Sequence, residues 1–252
     1  MELIGQNEQT VDPHRILVFG HSHVRRLEEF CKKKDQTLQQ QGLSSGKTFL
    51  NLKLDGQAIV KFHGIGGLTV PNSYRVDFRE DYNFHPHTVI LLVGGNDIGG
   101  SHLLSRERDG IALAENIFGF GQYIRRSMPW VQEVIFKQIL PRYVRGRRHR
   151  ATVEEREAFQ PRQIQAIINY NWVADVANKE LERLVQGRLG FLYHGSGFTL
   201  NIGPSTYNAY KQKALQYLKD GVHLTEEGYN KLFQSVRGTA LTSTNRLTRR
   251  RH

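Results

Sequence analysis

A chain of 252 residues, 38% of them hydrophobic, can enclose one substantial core and leaves little room for a second full domain. Its formal net charge of +11 attracts polyanions, nucleic acid and anionic lipid surfaces included, but says nothing about fold. No window approaches the roughly 20 apolar residues of a membrane span, and the lone Cys31 cannot close an internal disulfide, so an intracellular, cytoplasmic protein is expected.

Residues 1–13 carry Glu2, Gln6, Asn7 and Glu8 without an apolar leader core, and are read as an N-terminal extension of a domain spanning residues 14–240. The first β-rich run is Ile16 to Phe19, followed by a short helix over Val24 to Cys31. Further strands are expected at Ala58 to Phe62, Thr88 to Val93, Val134 to Ile139 and Gly190 to Tyr193. Helices are expected at Ile111 to Ser127 and Gln163 to Val185, the latter with Ile164, Ile167, Ile168, Val173, Val176, Leu181 and Leu184 on one face. Arg142 to Pro161 reads as an exposed, arginine-rich excursion. A last helix should start near Thr225, capped by its hydroxyl, and run through Tyr229, Leu232, Phe233 and Val236. Residues 241–252, with Arg246, Arg249, Arg250 and Arg251, read as a basic disordered tail. Strands alternating with helices predict an α/β domain, a parallel sheet between two helical layers.

Ligands of such sheets bind at the carboxyl ends of the strands, and three of the five expected ends are unusual. Phe19-Gly20-His21-Ser22-His23 puts a serine on a strand-to-helix turn, where it is either a nucleophile or an ordinary helix cap. His63-Gly64-Ile65-Gly66-Gly67 offers backbone N–H groups to a bound atom, or is a simple glycine turn. Val93-Gly94-Gly95-Asn96-Asp97 presents an amide to a developing oxyanion, or is an Asn-Asp turn. Near the C-terminus, Asp220-Gly221-Val222-His223-Leu224 spaces a carboxylate and an imidazole for an orienting hydrogen bond, or leaves both as surface residues. Each fragment alone is ambiguous. Together they supply nucleophile, oxyanion donors, base and orienting acid in one chain order.

These four blocks resemble the SGNH (GDSL-like) hydrolase superfamily, with Gly228 and Tyr229 similar to the helix behind its closing D-x-x-H-L block. The resemblance implies a three-layer flavodoxin-like fold with a central five-stranded parallel sheet, and a serine hydrolase acting on a carboxylic or acetyl ester. It implies Ser22 as nucleophile, Asp220 and His223 as the rest of the triad, and Gly64 and Asn96 as oxyanion donors beside the Ser22 N–H. One position departs from the pattern, since His21 stands where an acidic residue is usual. The run from Gly20 to Leu27 also resembles SGNH domains encoded by some animal retroelements, and release from a longer polyprotein would suit the same composition.

No cofactor is expected. The H-x-H pairs His21/His23 and His85/His87 have no evident third ligand and are read as structural. The expected partner of a monomeric enzyme is a small-molecule or lipid ester. Weak, nonspecific contact with nucleic acid or an anionic membrane would come from Arg142, Arg145, Arg147, Arg148 and Arg150 and from the C-terminal arginines. The rival reading is a catalytically silent nucleic-acid-binding module on the same fold.

Overall fold

The computed structural model describes residues 13–43, 46–99, 106–142, 153–198, 216–219 and 222–249, with backbone alone over 153–164. Strands β1 (His14–Gly20), β2 (Ala58–Gly64), β3 (Thr88–Leu92), β4 (Glu133–Lys137) and β5 (Phe191–His194) form one parallel sheet in the order β2-β1-β3-β4-β5. All five lie where the apolar runs place them. Alternation sends successive side chains to opposite layers. Ile16, Val18, Ile90, Leu92 and Ile135 pack in one core with α1 (Ser22–Gln40) and the C-terminal helix, while Leu17, Phe19, Val89, Leu91, Val134 and Phe136 pack in a second. Burial on both faces is why the inner strands β1, β3 and β4 read as near-continuous apolar runs, and each such side chain contributes roughly 1.5–3 kcal/mol.

Between β2 and β3 lie two short helices, α2 (Val70–Ser73) and α3 (Arg79–Phe84), which periodicity did not reveal. Helix α4 (Arg106–Ser127) and helix α5 (Val153–Val185) complete the second layer. Helices α1 and α5 are much longer than expected. Helix α1 continues to Gln40, its polar turns joined by Glu28–Lys32 at 2.6 Å. Helix α5 begins inside the stretch read as an excursion, of which residues 143–152 lie outside the described residues. No described helix is long and apolar enough to cross a membrane.

The C-terminal boundary needs correction. Helix α6 (Glu226–Arg249) starts as expected, with Thr225 Oγ1 accepting the Gly228 N–H at 3.0 Å, but it does not end at Leu241. Thr239, Ala240, Ser243, Thr244 and Leu247 are buried at helical spacing. Their hydroxyls hide this face from an apolar-pattern search. Arg246 grips the buried Glu133 carboxylate with two bonds, 2.6 Å from Nε and 2.8 Å from Nη2. Ser243 Oγ donates to the same carboxylate at 2.7 Å and meets Thr88 Oγ1 at 2.7 Å, which in turn contacts His14 Nε2 at 2.9 Å. The chain of bonds ties α6 to the first residues of β1, β3 and β4. One turn along, buried Lys137 donates to Gly195 O, Ser235 Oγ and Thr239 Oγ1 at 2.9–3.1 Å, and burial draws its pKa down to about 8.

Arg246 is therefore a structural residue, not part of a loose basic tail. Arg246→Met should strand the Glu133 charge and cost about 3 kcal/mol in urea unfolding. A loss below about 0.5 kcal/mol would match the solvated-tail reading instead.

Candidate active site

Helix α1, which follows β1, packs on one face of the sheet, while α4, which follows β3, packs on the other. The chain thus parts at the carboxyl ends of β1 and β3, where parallel sheets open a crevice. A narrow cleft lies there, lined by His21, Ser22 and His23 after β1, Gly95 and Asn96 after β3, and Leu140, Pro141 and Arg142 after β4. Tyr170 of α5 and Val222 close it.

Ser22 is the first residue of α1 and is not its cap. The cap is His21, extended at φ −81° and ψ −162°, whose Nδ1 accepts the His23 N–H at 3.4 Å. The Val24 N–H goes to His21 O at 2.9 Å. Two first-turn donors are thus satisfied by His21, and the Ser22 N–H stands at the positive end of a 19-residue helix. The ordinary-cap alternative for Ser22 is removed by its neighbour. In that bond the His21 imidazole acts as an acceptor.

His223 sits on a loop closed at its base. Leu218 and Leu224 pair as an antiparallel bridge, the Lys219 N–H donates to His223 O at 2.7 Å, and the Thr225 N–H donates to Tyr217 O at 2.8 Å. Gly228 lets α6 seat against this loop, since a Cβ there would stand 2.4 Å from Tyr217 O. The His223 ring lies 6.2 Å from that of His23, beside the Ser22 turn, and Val222 lines the cleft. Asp220 lies outside the described residues.

Asn96 lines the cleft with its amide gripped at both ends. Nδ2 donates to Leu68 O at 3.0 Å, and Oδ1 accepts from Arg142 Nη2 at 3.3 Å. Asp97 Oδ1 takes the Val70 N–H at 2.8 Å, so the turn after β3 holds the loop after β2 in place. Gly64 is placed differently from the expectation, for it does not line the cleft. Val60 N–H donates outward to Asn51 Oδ1 at 2.8 Å and Ile65 N–H inward to Gly20 O at 2.9 Å. Strand alternation therefore turns the Gly64 N–H toward the outer edge of β2, away from the cleft. Its smallness has another use. A Cβ would stand 2.1 Å from the Arg25 nitrogen, so only glycine lets β2 meet the first turn of α1 this closely.

Two residues of the cleft escaped sequence reasoning. Arg142 was read as the start of a solvated basic run, yet its guanidinium donates to Gly95 O at 2.6 Å and lies 4.4 Å from the centre of the Tyr170 ring. Tyr170, on the buried side of α5, donates from its hydroxyl to Leu140 O at 3.2 Å. The only signal for either was position, since Arg142 follows β4 as Ser22 follows β1.

The cleft is electropositive. Burial, then the charges of Arg142 and His223, hold the His21 pKa down to about 4. His23 is lowered well below its ordinary value by burial first and by its histidine neighbours second. Both rings are neutral at pH 7.

His21 takes up its proton near pH 6.5 when unfolded but only near pH 4 when folded. Protonation thus favours the unfolded chain across that window, and the full stability present above pH 6.5 drains away as pH falls toward 4. The loss from His21 alone should be about 3 kcal/mol. His21→Asn keeps a capping acceptor without the titration, so its urea midpoint should fall less steeply between pH 7 and pH 4. An unchanged slope would contradict the assignment.

No protein-family model matches the sequence, and no curated protein matches it. Solved structures do share its fold. A GDSL-like lipase from Bacteroides thetaiotaomicron VPI-5482 aligns over 91% of this chain and 88% of its own, at 18% identity and TM-score 0.55. A family 3 carbohydrate esterase from Clostridium thermocellum aligns over 94% and 99%, at 17% identity and TM-score 0.51. A lipase/acylhydrolase from Enterococcus faecalis aligns over 90% and 94%, at 14% identity and TM-score 0.50. The chain therefore has the three-layer α/β fold of the GDSL-like lipases and acylhydrolases, over nearly its whole length.

Proposed function

We propose that this protein is a serine-dependent hydrolase of carboxylic or acetyl esters. The observation that carries the reading is the meeting of Ser22 and Asn96 in one cleft whose wall includes Val222, with His223 next to it in the chain. The fold supports it, because the neighbours named as lipase, acylhydrolase and carbohydrate esterase share ester cleavage as their common chemistry.

In this reading His223 removes the Ser22 proton as Oγ attacks the ester carbonyl. The carbonyl oxygen becomes an oxyanion, held by the Ser22 N–H and an N–H of Asn96 Nδ2. Collapse of the tetrahedral intermediate breaks the bond to the alcohol, which leaves with the proton from His223. Water, deprotonated by the same imidazole, attacks the acyl-enzyme and releases the acid, restoring Ser22. Asp220, three residues before His223, is assigned to hold that ring in the productive tautomer. Gly64 is assigned to packing α1 rather than to the oxyanion. Protein groups handle every proton in this sequence of steps.

The basic patches are a smaller argument for nucleic-acid binding than the +11 charge suggests, because Arg142 and Arg246 are committed to bonds inside the fold.

Ser22→Ala should keep the wild-type melting temperature, lose fluorophosphonate labelling, and lose hydrolysis of p-nitrophenyl acetate by about a thousandfold or more. Equal labelling of both proteins would move the nucleophile elsewhere.

A further inference from the structure

We infer that Arg142 is a positioning residue that fixes which way the Asn96 amide faces, and so makes Asn96 an oxyanion donor. This rests on the hydrolase reading above and adds a residue to it. One guanidinium nitrogen, Nη2, donates both to Gly95 O at 2.6 Å and to Asn96 Oδ1 at 3.3 Å. An asparagine amide has two orientations of nearly equal shape, in which oxygen and nitrogen exchange places. Here the exchange is blocked from both sides. A reversed amide would point Nδ2 donors at the Arg142 donor, and Oδ1 at the Leu68 carbonyl that Nδ2 now reaches at 3.0 Å. With one Nδ2 hydrogen on Leu68, the other serves the bound oxyanion.

Arg142 is itself held from beneath. Asn171 of α5 accepts the Arg142 N–H at 2.9 Å and donates to Arg142 O at 2.9 Å. Two turns along the same helix, Asn178 makes the same pair of bonds with Ile139, at 2.8 and 3.2 Å. The segment leaving β4 is thus clamped twice to α5, and the Tyr170 ring lies under the guanidinium. A solvated surface arginine needs none of this. Lysine would supply the charge and a donor nitrogen but not the flat guanidinium that lies over the Tyr170 ring and so fixes where that nitrogen stands.

The test is a mutant cycle read by the second-order rate at which a fluorophosphonate labels Ser22, since the tetrahedral adduct places its phosphonyl oxygen where the oxyanion forms. Asn96→Ala should slow labelling roughly 100-fold to 1,000-fold. Arg142→Met should slow it by about 10-fold to 100-fold, because a misaimed donor is partly lost. In the Asn96→Ala background the same Arg142→Met change should cost less than about twofold, having no amide left to orient. Arg142→Lys should behave more like Arg142→Met than like wild type, and it carries the cycle if Arg142→Met fails to fold. Penalties that multiply independently would show that Arg142 acts on the fold or through its field, and would overturn the inference alone. So would wild-type labelling in Arg142→Met. An unlabelled wild-type protein would overturn the Ser22 reading and this inference with it.

Discussion

Everything at the cleft depends on the chain leaving β1 and β3 toward opposite faces of the sheet. If α1 and α4 lay on the same side, the turns bearing Ser22 and Asn96 would be covered by a continuous helical layer. Instead the strand order β2-β1-β3-β4-β5 opens a gap between them. The buried double layer makes that gap rigid, because Phe19 and Phe136 fill one core while Ile16 and Ile135 fill the other. The polar chain from His14 to Arg246 ties α6 to the opposite end of the sheet, far from the reacting groups. The Glu133 network and the cleft occupy opposite ends of the same strands.

The electrostatics of the cleft follow from the side chains it holds. Among the described residues that line it there is no carboxylate, while Arg142 and three histidines crowd the Ser22 turn. Burial keeps His21 and His23 neutral, so the permanent positive charge is that of Arg142 alongside the α1 amino end. In the proposed mechanism this positive charge favours the oxyanion. His21 is consistent with that arrangement. As a neutral cap it holds the Ser22 turn without adding an anion to the cleft.

How much of this the sequence disclosed depends on the range of the interactions. Apolar runs named all five strands, and the motif blocks singled out Ser22 and Asn96, which the structure brings to one cleft, because turn chemistry is local and leaves a local signature. Helix α6 was cut short at Leu241 because Ser243 and Thr244 bury hydroxyls satisfied by partners that composition cannot name. Arg142 was assigned to a solvated run because its partners, Gly95, Asn96, Tyr170 and Asn171, lie between 28 and 47 residues away in the chain. Gly64 shows the reverse error. Its motif was legible, but the direction of its N–H depends on which edge of β2 is open, a fact of topology rather than of sequence.

Ser22 and Asn96 are proposed to act on one reacting centre. A crystal structure of the protein after reaction with a fluorophosphonate tests this most directly. Phosphorus should stand on Ser22 Oγ, with the phosphonyl oxygen about 3 Å from both the Ser22 backbone nitrogen and Asn96 Nδ2. A phosphonyl group on any other residue, or one on Ser22 whose oxygen faces away from Asn96, would contradict it.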